Sequence, residues 1–226
     1  MSIDGNSVLA IVPARKNSKR IPNKNLKKLN GKPLIDWTIE SAIRSLYIDT
    51  LVLSSDSPEI LTRICENEFF KRSFRPNHLA EDDTPMIKVV QYEISQYPDF
   101  DIVLVLQPTS PMRSSNDIDK VLELVSKCKS PVVSVCESQE NPFWTFTSIE
   151  DNELISLFPD ALYKRSQDLP KTFFLNGALY SDFVNNILLH GTFVRHGTKG
   201  YIMESFRSID IDTLEDFMEV EKRFST

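Results

Sequence analysis

Short runs of apolar residues alternate along the chain with segments of helical periodicity, and this alternation restricts the possible folds more than any other feature. The runs are continuously apolar, which is typical of strands covered on both faces in a parallel sheet. Strand and helix follow each other repeatedly, which predicts a three-layer α/β fold with a mostly parallel sheet. The predicted strands are residues 8–12, 51–53, 102–106 and 132–135.

Five segments between and after these runs predict helices. The first places its apolar residues on one face, because they recur at helical spacing from Ile35 through Ile39, Ala42, Ile43 and Leu46. The others are predicted from capping residues and first-turn prolines. Their starts and approximate ends are Ser57-Pro58 to Phe69, Thr84-Pro85 to Tyr97, Ser115 or Asn116 to Cys128, and Thr213 to Phe224.

The composition is that of a globular protein. With 226 residues, of which 41% are hydrophobic and 26% charged, the chain fits one large domain and does not fit a disordered protein. No run approaches the roughly 18 apolar residues of a membrane span, and the first residues lack the pattern of a secretory signal. Three widely spaced cysteines predict reduced thiols, so we expect a cytoplasmic protein.

Charge is distributed unevenly. The net charge is −6, yet eight basic residues and no acidic one lie between Arg15 and Lys32. An acidic surface repels nucleic acid and anionic membranes, so neither is expected as a partner. A small basic island on an acidic protein instead predicts a small, highly charged anion as the ligand.

The basic island begins directly after the first predicted strand. Ligands in open α/β sheets usually lie at the carboxyl ends of strands, so Arg15, Arg20 and Lys24 are expected to converge on a polyphosphate, with Ser18 as a further donor. Neither a Walker loop nor a Gly-x-Gly-x-x-Gly motif is present in the sequence. The alternatives are a solvated basic loop and a nucleic-acid patch.

Two acidic residues near the end of the chain, Asp210 and Asp212, form a candidate metal site. Residues i and i+2 of a strand point to the same side, so the two carboxylates are expected together, with Ile209 and Ile211 facing the core. Mg²⁺ favours a few carboxylates completed by phosphates and water. The alternative is a pair of solvated aspartates that precede a helix.

Residues 138–175 interrupt the α/β pattern, and we call them the inserted segment. They are polar and irregular apart from aromatic residues such as Phe143 and Trp144. Exposed aromatic residues favour contact with a second subunit, so this segment is expected to be a dimerisation arm. The main domain would then consist of residues 1–137 and 176–226, and the alternative is a plain long loop.

Four segments, taken together, resemble the CMP-sialic acid synthetases, also called acylneuraminate cytidylyltransferases. The segments are residues 11–35, 106–113, 167–180 and 208–213, in the order and spacing of that family. The resemblance implies a Rossmann-like nucleotidyltransferase fold, a homodimer and Mg²⁺ as the cofactor. It also implies that a nine-carbon acidic sugar reacts with CTP to give the CMP-sugar and pyrophosphate.

The resemblance further implies roles for individual residues. Arg15, Lys24 and Asp212 are expected in catalysis, and Asp210 and Asp212 as metal ligands. The expected nucleotide contacts are Ala14, Arg15, Ser18, Lys24, Asn25 and Arg75. The expected sugar contacts are Gln107, Arg165, Gln167, Asn176 and Tyr180.

Some positions depart from the family pattern and leave the sugar open. Ser166 stands where many members carry a second arginine, and Trp144 where some carry a lysine. N-acetylneuraminate, legionaminate and pseudaminate therefore all remain compatible. One alternative is an enzyme of the CMP-Kdo synthetase type. An alternative of another class is a non-catalytic module that binds nucleotide or nucleic acid.

Overall fold

The computed structural model describes residues 3–150 and 153–224 of the chain. Its strands are β1 (Val8–Pro13), β2 (Lys28–Leu29), β3 (Lys32–Pro33), β4 (Thr50–Ser55), β5 (Phe70–Phe74), β6 (Ile102–Leu106), β7 (Val132–Glu137), β8 (Phe146–Glu150), β9 (Glu153–Ser156), β10 (Phe173–Phe183) and β11 (Lys199–Ile202). Its α-helices are α1 (Leu34–Ile43), α2 (Pro58–Leu61), α3 (Met86–Gln96), α4 (Ser115–Cys128), α5 (Val184–His190) and α6 (Leu214–Phe224).

Seven of these strands form the central sheet, in the order β11-β7-β10-β6-β1-β4-β5. The pairs β1–β4, β1–β6 and β4–β5 are parallel, as the continuous apolar runs predict. Only β10 runs antiparallel to both of its neighbours, β6 and β7. The predicted α/β fold with a mostly parallel sheet is therefore confirmed.

Both faces of the sheet are covered, because successive residues of a strand point to opposite sides. On one face Val8, Ala10 and Val12 pack in a core with residues of α1, α2 and α4. On the other face Leu9 and Ile11 pack with residues of α3 and α5. A smaller cluster joins α6 to Ile21, Leu29, Leu34 and Ile211. It attaches the C-terminal helix beside the loop between β1 and β2, residues 14–27, which we call the basic loop.

Two predictions for the first half of the chain are wrong. The helix expected to reach Phe69 ends at Leu61, and the chain continues into the unpredicted edge strand β5. The side-chain oxygen of Asn67 accepts hydrogen bonds from the backbone N–H groups of Phe69 (2.9 Å) and Phe70 (2.8 Å), which stabilises a turn in place of a helix.

The second wrong prediction concerns α1, because Ile43 and Leu46 do not join its buried face.

The exposure of these two residues follows from helix geometry. Ile43 is 51% exposed, because eight residues after Ile35 it lies about 80° around the helix from it. Leu46 is 66% exposed and lies beyond the end of α1.

Helix starts were predicted with mixed success. Ser57 and Thr213 do cap α2 and α6, since their side-chain oxygens accept hydrogen bonds from the backbone N–H groups of Ile60 and Asp216. By contrast, α3 begins after Pro85 without a side-chain cap from Thr84. The cap of α4 is Ser114, neither Ser115 nor Asn116, because Ser114 and Asp117 form a reciprocal capping box.

The inserted segment leaves and rejoins the sheet between two paired strands. Phe173 of β10 pairs with Glu137 of β7, so residues 138–172 lie between the strands. They contain the hairpin β8–β9 and short single turns such as Ser166–Asp168. None of the helices in the described part of the chain is long and apolar enough to cross a membrane.

Candidate active site

A cavity of about 320 Å³ opens at the carboxyl ends of β1, β5 and β6, and we call it the main cavity. The chain passes from β1 outward to β4 and β5 and then returns to β6 on the other side of β1. Ligands in open α/β sheets bind at such a switch point, where neighbouring connections diverge. The position agrees with the expectation for the loop that follows the first strand.

The basic loop forms one wall of the main cavity, which Arg15, Ser18, Lys24 and Asn25 line. Asn23, in a left-handed conformation with φ 53°, starts the turn Lys24–Leu26 that directs Lys24 inward. The Asn25 side chain donates a hydrogen bond to the carbonyl oxygen of Arg15 (2.9 Å). The turn and this hydrogen bond thus bring the predicted nucleotide-binding residues Arg15, Lys24 and Asn25 together within the loop.

Asp210 and Asp212 lie on the opposite wall, and Lys24 connects the two walls. The Lys24 ammonium group is 3.2 Å from a carboxylate oxygen of Asp212 and donates to the carbonyl oxygen of Ile211 at 2.7 Å. Arg20 forms a second ion pair with Asp212 at 2.8 Å. Two residues expected in catalysis, Lys24 and Asp212, are therefore in direct contact.

The two aspartates do not lie on a strand, which corrects the prediction. Residues 208–213 are irregular and lie between β11 and α6. The segment is held by a backbone hydrogen bond from Ile211 to Thr109 (2.8 Å), and the Asp216 carboxylate accepts from the backbone N–H of Asp212 (3.0 Å). The side chains nevertheless alternate as expected, since Ile211 is fully buried and both aspartates are accessible.

Asp210 has an unusual electrostatic environment. The residue is accessible because it faces open cavities, but its carboxylate lies among protein atoms, and this burial raises its pKa above the ordinary value. The nearby negative charge of Asp212 also raises the pKa, whereas a hydrogen bond with Thr109 lowers it. A cation placed here would relieve the cost of the charge.

Gly177 allows the backbone to approach Asp210 closely. An added Cβ would lie 3.1 Å from an Asp210 carboxylate oxygen and 3.1 Å from the amide oxygen of Gln107. Its φ of +77° is also unfavourable for residues with a side chain. Asn176-Gly177 is therefore a point of close contact within β10, although the dipeptide taken alone is more typical of a turn.

An acidic residue that the sequence analysis missed, Asp82, lines the main cavity beside the basic loop. One of its carboxylate oxygens lies 2.5 Å from Arg15 and the other 2.7 Å from Lys19. A hydrogen bond with Lys19, together with the charges of both cations, lowers the pKa of Asp82, although desolvation opposes this. The acidic run Glu81-Asp82-Asp83 could have indicated this contact, because the basic residues of the loop need negative charges from elsewhere in the chain.

Arg75 lies deep in the same cavity and is only 4% exposed. Its guanidinium donates to the carbonyl oxygen of Ser54 (2.9 Å) and to the Ser54 hydroxyl (3.2 Å). Burial lowers the pKa of Arg75, while the charge of the buried carboxylate of Glu93 opposes that shift. Glu93 is a second residue that the sequence analysis missed, since a single acid in an amphipathic helix gives no distinctive pattern.

Gln107 and Arg113 belong to the segment that follows β6. Gln107 lines the main cavity, and its side-chain amide is 3.1 Å from the sulfur of Met86. Arg113 is 3% exposed and donates to the carbonyl oxygens of Gln107 (3.2 Å) and Ala178 (2.8 Å). Burial lowers the pKa of Arg113 to about 9, and its two hydrogen bonds join the segment after β6 to β10.

Three further predicted residues are placed less directly. Ala14 is fully buried, and its backbone N–H donates to the Ser54 carbonyl oxygen at 2.9 Å. Asn176 is 2% exposed, and its amide is bonded to the hydroxyls of Ser134 (2.6 Å) and Ser208 (3.0 Å). Tyr180 is half-buried, and its pKa is raised by burial first and also by the charge of Asp210.

Arg165 and Gln167 are not brought to the main cavity within one chain. Both are exposed on the turn of the inserted segment, where Arg165 pairs with Asp168 at 2.8 Å. Neither is among the residues that line the cavity. The structure therefore assembles the expected nucleotide side of the site and leaves part of the expected sugar side apart from it.

The sheet and its cavity together define an α/β nucleotidyltransferase fold. A likeness in fold extends to the CMP:2-keto-3-deoxy-manno-octonic acid synthetase complexed with CTP, with a TM-score of 0.70. That similarity covers 97% of this chain and 98% of the other at 14% sequence identity, and it concerns the fold alone.

Residues 9–223 match the sequence profile described as cytidylyltransferase, and the chain belongs to this family. It is 34% identical to the CMP-N,N'-diacetyllegionaminic acid synthase of Legionella pneumophila, over 95% of both chains. It is 31% identical to the pseudaminic acid cytidylyltransferase of Campylobacter jejuni, over 92% of both.

A third relative is longer than this chain. The N-acylneuraminate cytidylyltransferase of Streptococcus agalactiae is 33% identical over 94% of this chain, but the matched region is 52% of that relative. The chain thus spans about half of the length of this enzyme and nearly the whole length of the other two relatives. The expected membership in the acylneuraminate cytidylyltransferase group is confirmed by these similarities.

Proposed function

We propose that this chain transfers the CMP group of CTP to a nonulosonate, a nine-carbon acidic sugar, and releases pyrophosphate. The observation that carries the proposal is the main cavity, where the basic loop faces Asp210 and Asp212 at the switch point of the sheet. Three relatives named for legionaminic, neuraminic and pseudaminic acid support the sugar class. The family supports CTP as the nucleotide, and the charged residues of the cavity support the type of reaction.

The basic wall would hold the triphosphate. Arg15, Ser18 and Lys24 offer side-chain donors along one side of the cavity, and Asn25 lies next to them. Arg75 and the backbone at Ala14 complete the proposed nucleotide contacts. Transfer of this kind needs alignment and neutralisation of the departing charge more than covalent participation by the protein.

The carboxylates of the opposite wall fit a magnesium ion. Among the described residues, there is no cluster of three or more His, Cys, Asp or Glu side chains that could hold a metal ion without other ligands. Asp210 has a destabilised charge and no ion pair among the described residues, and Asp212 is close enough to raise its pKa. Mg²⁺ typically takes one or two carboxylates plus substrate phosphates, so Asp210 and Asp212 would hold it, and it would neutralise phosphate charge.

The proposed reaction is a single displacement. The anomeric hydroxyl of the sugar attacks the α-phosphorus and forms a new P–O bond, while the bond to the β-phosphate oxygen breaks and pyrophosphate leaves with the electron pair. The hydroxyl proton is lost during the attack, and Asp212 is the proposed acceptor. Arg15 and Lys24 would stabilise the negative charge that grows on the leaving group.

The sugar side would need a second copy of the chain. Arg165 and Gln167 lie away from the cavity of their own chain, while aromatic and aliphatic residues of the inserted segment are exposed. Examples are Tyr163 (94%), Leu154 (56%) and Phe174 (48%). We propose that this surface is covered in a homodimer and that the dimer brings the sugar-binding residues to the site.

The charge and the cysteines of the chain bear on its location in the cell and on its partners. We propose a cytoplasmic enzyme without a nucleic-acid partner. The net charge of −6 and three free cysteines support this proposal.

A substrate panel tests the proposed function. Pyrophosphate release would be measured with CTP and Mg²⁺ and, separately, N-acetylneuraminic, legionaminic, pseudaminic and Kdo sugars. We expect release with at least one of the first three sugars and little with Kdo, and with CTP well above UTP, ATP or GTP. A folded protein that releases no pyrophosphate with any nonulosonate would contradict the proposal.

A further inference from the structure

The basic loop is neutralised by two aspartates from distant parts of the chain. Asp212 pairs with Arg20 and Lys24, and this contact belongs to the site described above. Asp82 pairs with Arg15 and Lys19, each of its oxygens facing one cation. Because the sequence from Arg15 to Lys32 contains no acid, the loop depends on these outside carboxylates for counter-charge.

Asp82 occupies the position that an anionic ligand would need. It lines the main cavity, and it also lines a second pocket together with Ser18, Lys24 and Asp212. The Arg15 guanidinium is near the carbonyl oxygen of Glu81 as well, at 3.4 Å. A phosphate that binds Arg15 and Lys19 would therefore have to displace the Asp82 carboxylate from both.

The contact is weak enough to be displaced. The side chains of Arg15, Lys19 and Asp82 are 34%, 77% and 37% exposed, and ion pairs open to solvent are weakened by screening. A phosphate group carries more negative charge than a single carboxylate, so Arg15 and Lys19 can donate charge-assisted hydrogen bonds to it in place of those to Asp82. The binding free energy of a polyphosphate would therefore reflect only the difference between its contacts with Arg15 and Lys19 and the contacts that Asp82 already makes with them.

We propose that Asp82 is an intramolecular competitor for the terminal phosphates of CTP and for pyrophosphate, and that it sets the affinity of the site for both. The proposal rests on the proposed function for the identity of the nucleotide. Asp82 weakens the binding of the triphosphate, and it replaces pyrophosphate on Arg15 and Lys19 as that product leaves. It is thus an affinity-determining residue that the reaction itself does not require.

The substitution Asp82→Asn tests this inference, because it keeps the size of the side chain and removes its charge. Dissociation constants would be measured by calorimetry with Mg²⁺ for CTP, pyrophosphate and cytidine. We expect CTP and pyrophosphate to bind about three to ten times more tightly, equivalent to ~0.7–1.4 kcal/mol. Cytidine has no phosphate, so its affinity is expected to stay unchanged.

Asp83→Asn is the matched control. Asp83 is the exposed neighbour of Asp82, its substitution changes the net charge equally, and it does not line the main cavity. We expect it to alter the affinity for CTP by less than about twofold, because long-range charge effects are screened by salt. A thermal melt of each variant would show that the fold is retained.

Three results would overturn the inference. These are unchanged or weaker binding of CTP and pyrophosphate by Asp82→Asn, an equal gain with Asp83→Asn, and an equal gain for cytidine. If the wild-type protein binds pyrophosphate but not CTP, the proposed function fails, and the pyrophosphate comparison still decides the role of Asp82. If it binds neither ligand, both fail.

Discussion

The main cavity and the inserted segment are built in different ways. The cavity lies at strand ends of a sheet whose central strands β1, β4 and β6 are almost entirely buried, and ion pairs connect several of its charged groups. In the inserted segment Ala161 is the one buried residue among those described, and Arg165 pairs only with Asp168 of its own turn. The first region is fixed by the core of its own chain, whereas the second has almost no core.

This difference separates the two halves of the proposed reaction. The proposed nucleotide-binding residues follow β1, β5 and β6, whose packing in the core fixes their positions, and such preorganisation favours transfer. The proposed sugar-binding residues lie partly on the inserted segment, which the proposed homodimer would complete. Sugar specificity can therefore vary with the inserted segment while the phosphate chemistry stays the same.

The largest effect is expected in the cavity, from Arg15→Ala. Loss of one preorganised charge stabiliser should lower kcat by roughly 10²–10³, or about 2.7–4 kcal/mol. Steady-state pyrophosphate release would measure it, with Arg44→Ala as the control, because Arg44 is exposed on α1 outside the cavity. Activity within threefold of the wild type would contradict the role of Arg15.

Two arginine–aspartate pairs should differ in how much they stabilise the fold. Asp117 is 1% exposed and accepts from Arg207 and Tyr201, whereas the Arg165–Asp168 pair is exposed. Asp117→Asn should lower the free energy of unfolding by about 3 kcal/mol, and Asp168→Asn by less than ~1 kcal/mol. Urea denaturation would measure both, and similar losses would remove the contrast between the packed main domain and the inserted segment.

The Asp117 effect should depend on pH in a defined direction. Burial tends to raise its pKa, but hydrogen bonds from Arg207 and Ser114 outweigh it, so the pKa lies below the ordinary value. The stabilisation is then fully present above the unfolded pKa, about 4, and is lost as the pH falls through the folded pKa. The gap between wild type and Asp117→Asn should persist from pH 7 to 5 and shrink below about pH 4.

Arg165→Ala tests the inserted segment itself. We expect KM for the sugar to rise about ten- to hundredfold, as for the loss of a hydrogen bond to a charged group, with KM for CTP within twofold. Kinetics with each substrate varied in turn would separate the two constants. Equal increases in both would mean that the regions are not functionally separate.

A mixture of two variants tests whether the inserted segment of one subunit completes the main cavity of the other subunit in a dimer. If Arg165 serves the cavity of the other subunit, then Arg15→Ala and Arg165→Ala, each impaired alone, should regain activity when refolded together. The mixed dimer then contains one intact pair. No recovery, with mixed dimers shown by native mass spectrometry, would place both residues in one chain's site.

The effect expected on metal binding is smaller than the effect of Arg15→Ala on kcat. Asp212→Asn should raise the Mg²⁺ concentration for half-maximal activity by about tenfold, since changes around metal sites usually cost at least that much. Asp160→Asn makes the same change on an exposed turn of the inserted segment and should leave the titration unchanged. An unaltered Mg²⁺ titration for Asp212→Asn would argue against its role as a ligand.

The sequence predicted the cavity better than it predicted the edges of the fold. Apolar runs identified β1, β4, β6 and β7, because strands buried on both faces leave a strong pattern. The edge strands β5 and β11 and the antiparallel strand β10 were missed. The residues of β5 are mostly half-buried and mix polar with apolar types, and those of β11 are mostly exposed. The turn made by Asn67 depends on hydrogen bonds that periodicity does not reveal.

The same division holds within the site. The basic loop and Asp210/Asp212 were found because close spacing in sequence concentrates their charge. Asp82 and Glu93 were missed, because their contacts with Arg15 and with the surroundings of Arg75 join segments far apart in the chain. Such contacts come from the packing of the sheet and its helices, which a single sequence does not specify residue by residue.

The central claim is that this cavity breaks CTP between the α- and β-phosphates and joins CMP to a nonulosonate. Phosphorus NMR of CTP and Mg²⁺ with each of the three candidate sugars tests it most directly. We predict that with at least one sugar the triphosphate signals give way to one phosphodiester signal and one pyrophosphate signal of twice its intensity, because each turnover releases two equivalent phosphorus atoms as pyrophosphate. Intact CTP with all three sugars, or CDP and phosphate as products, would contradict the claim.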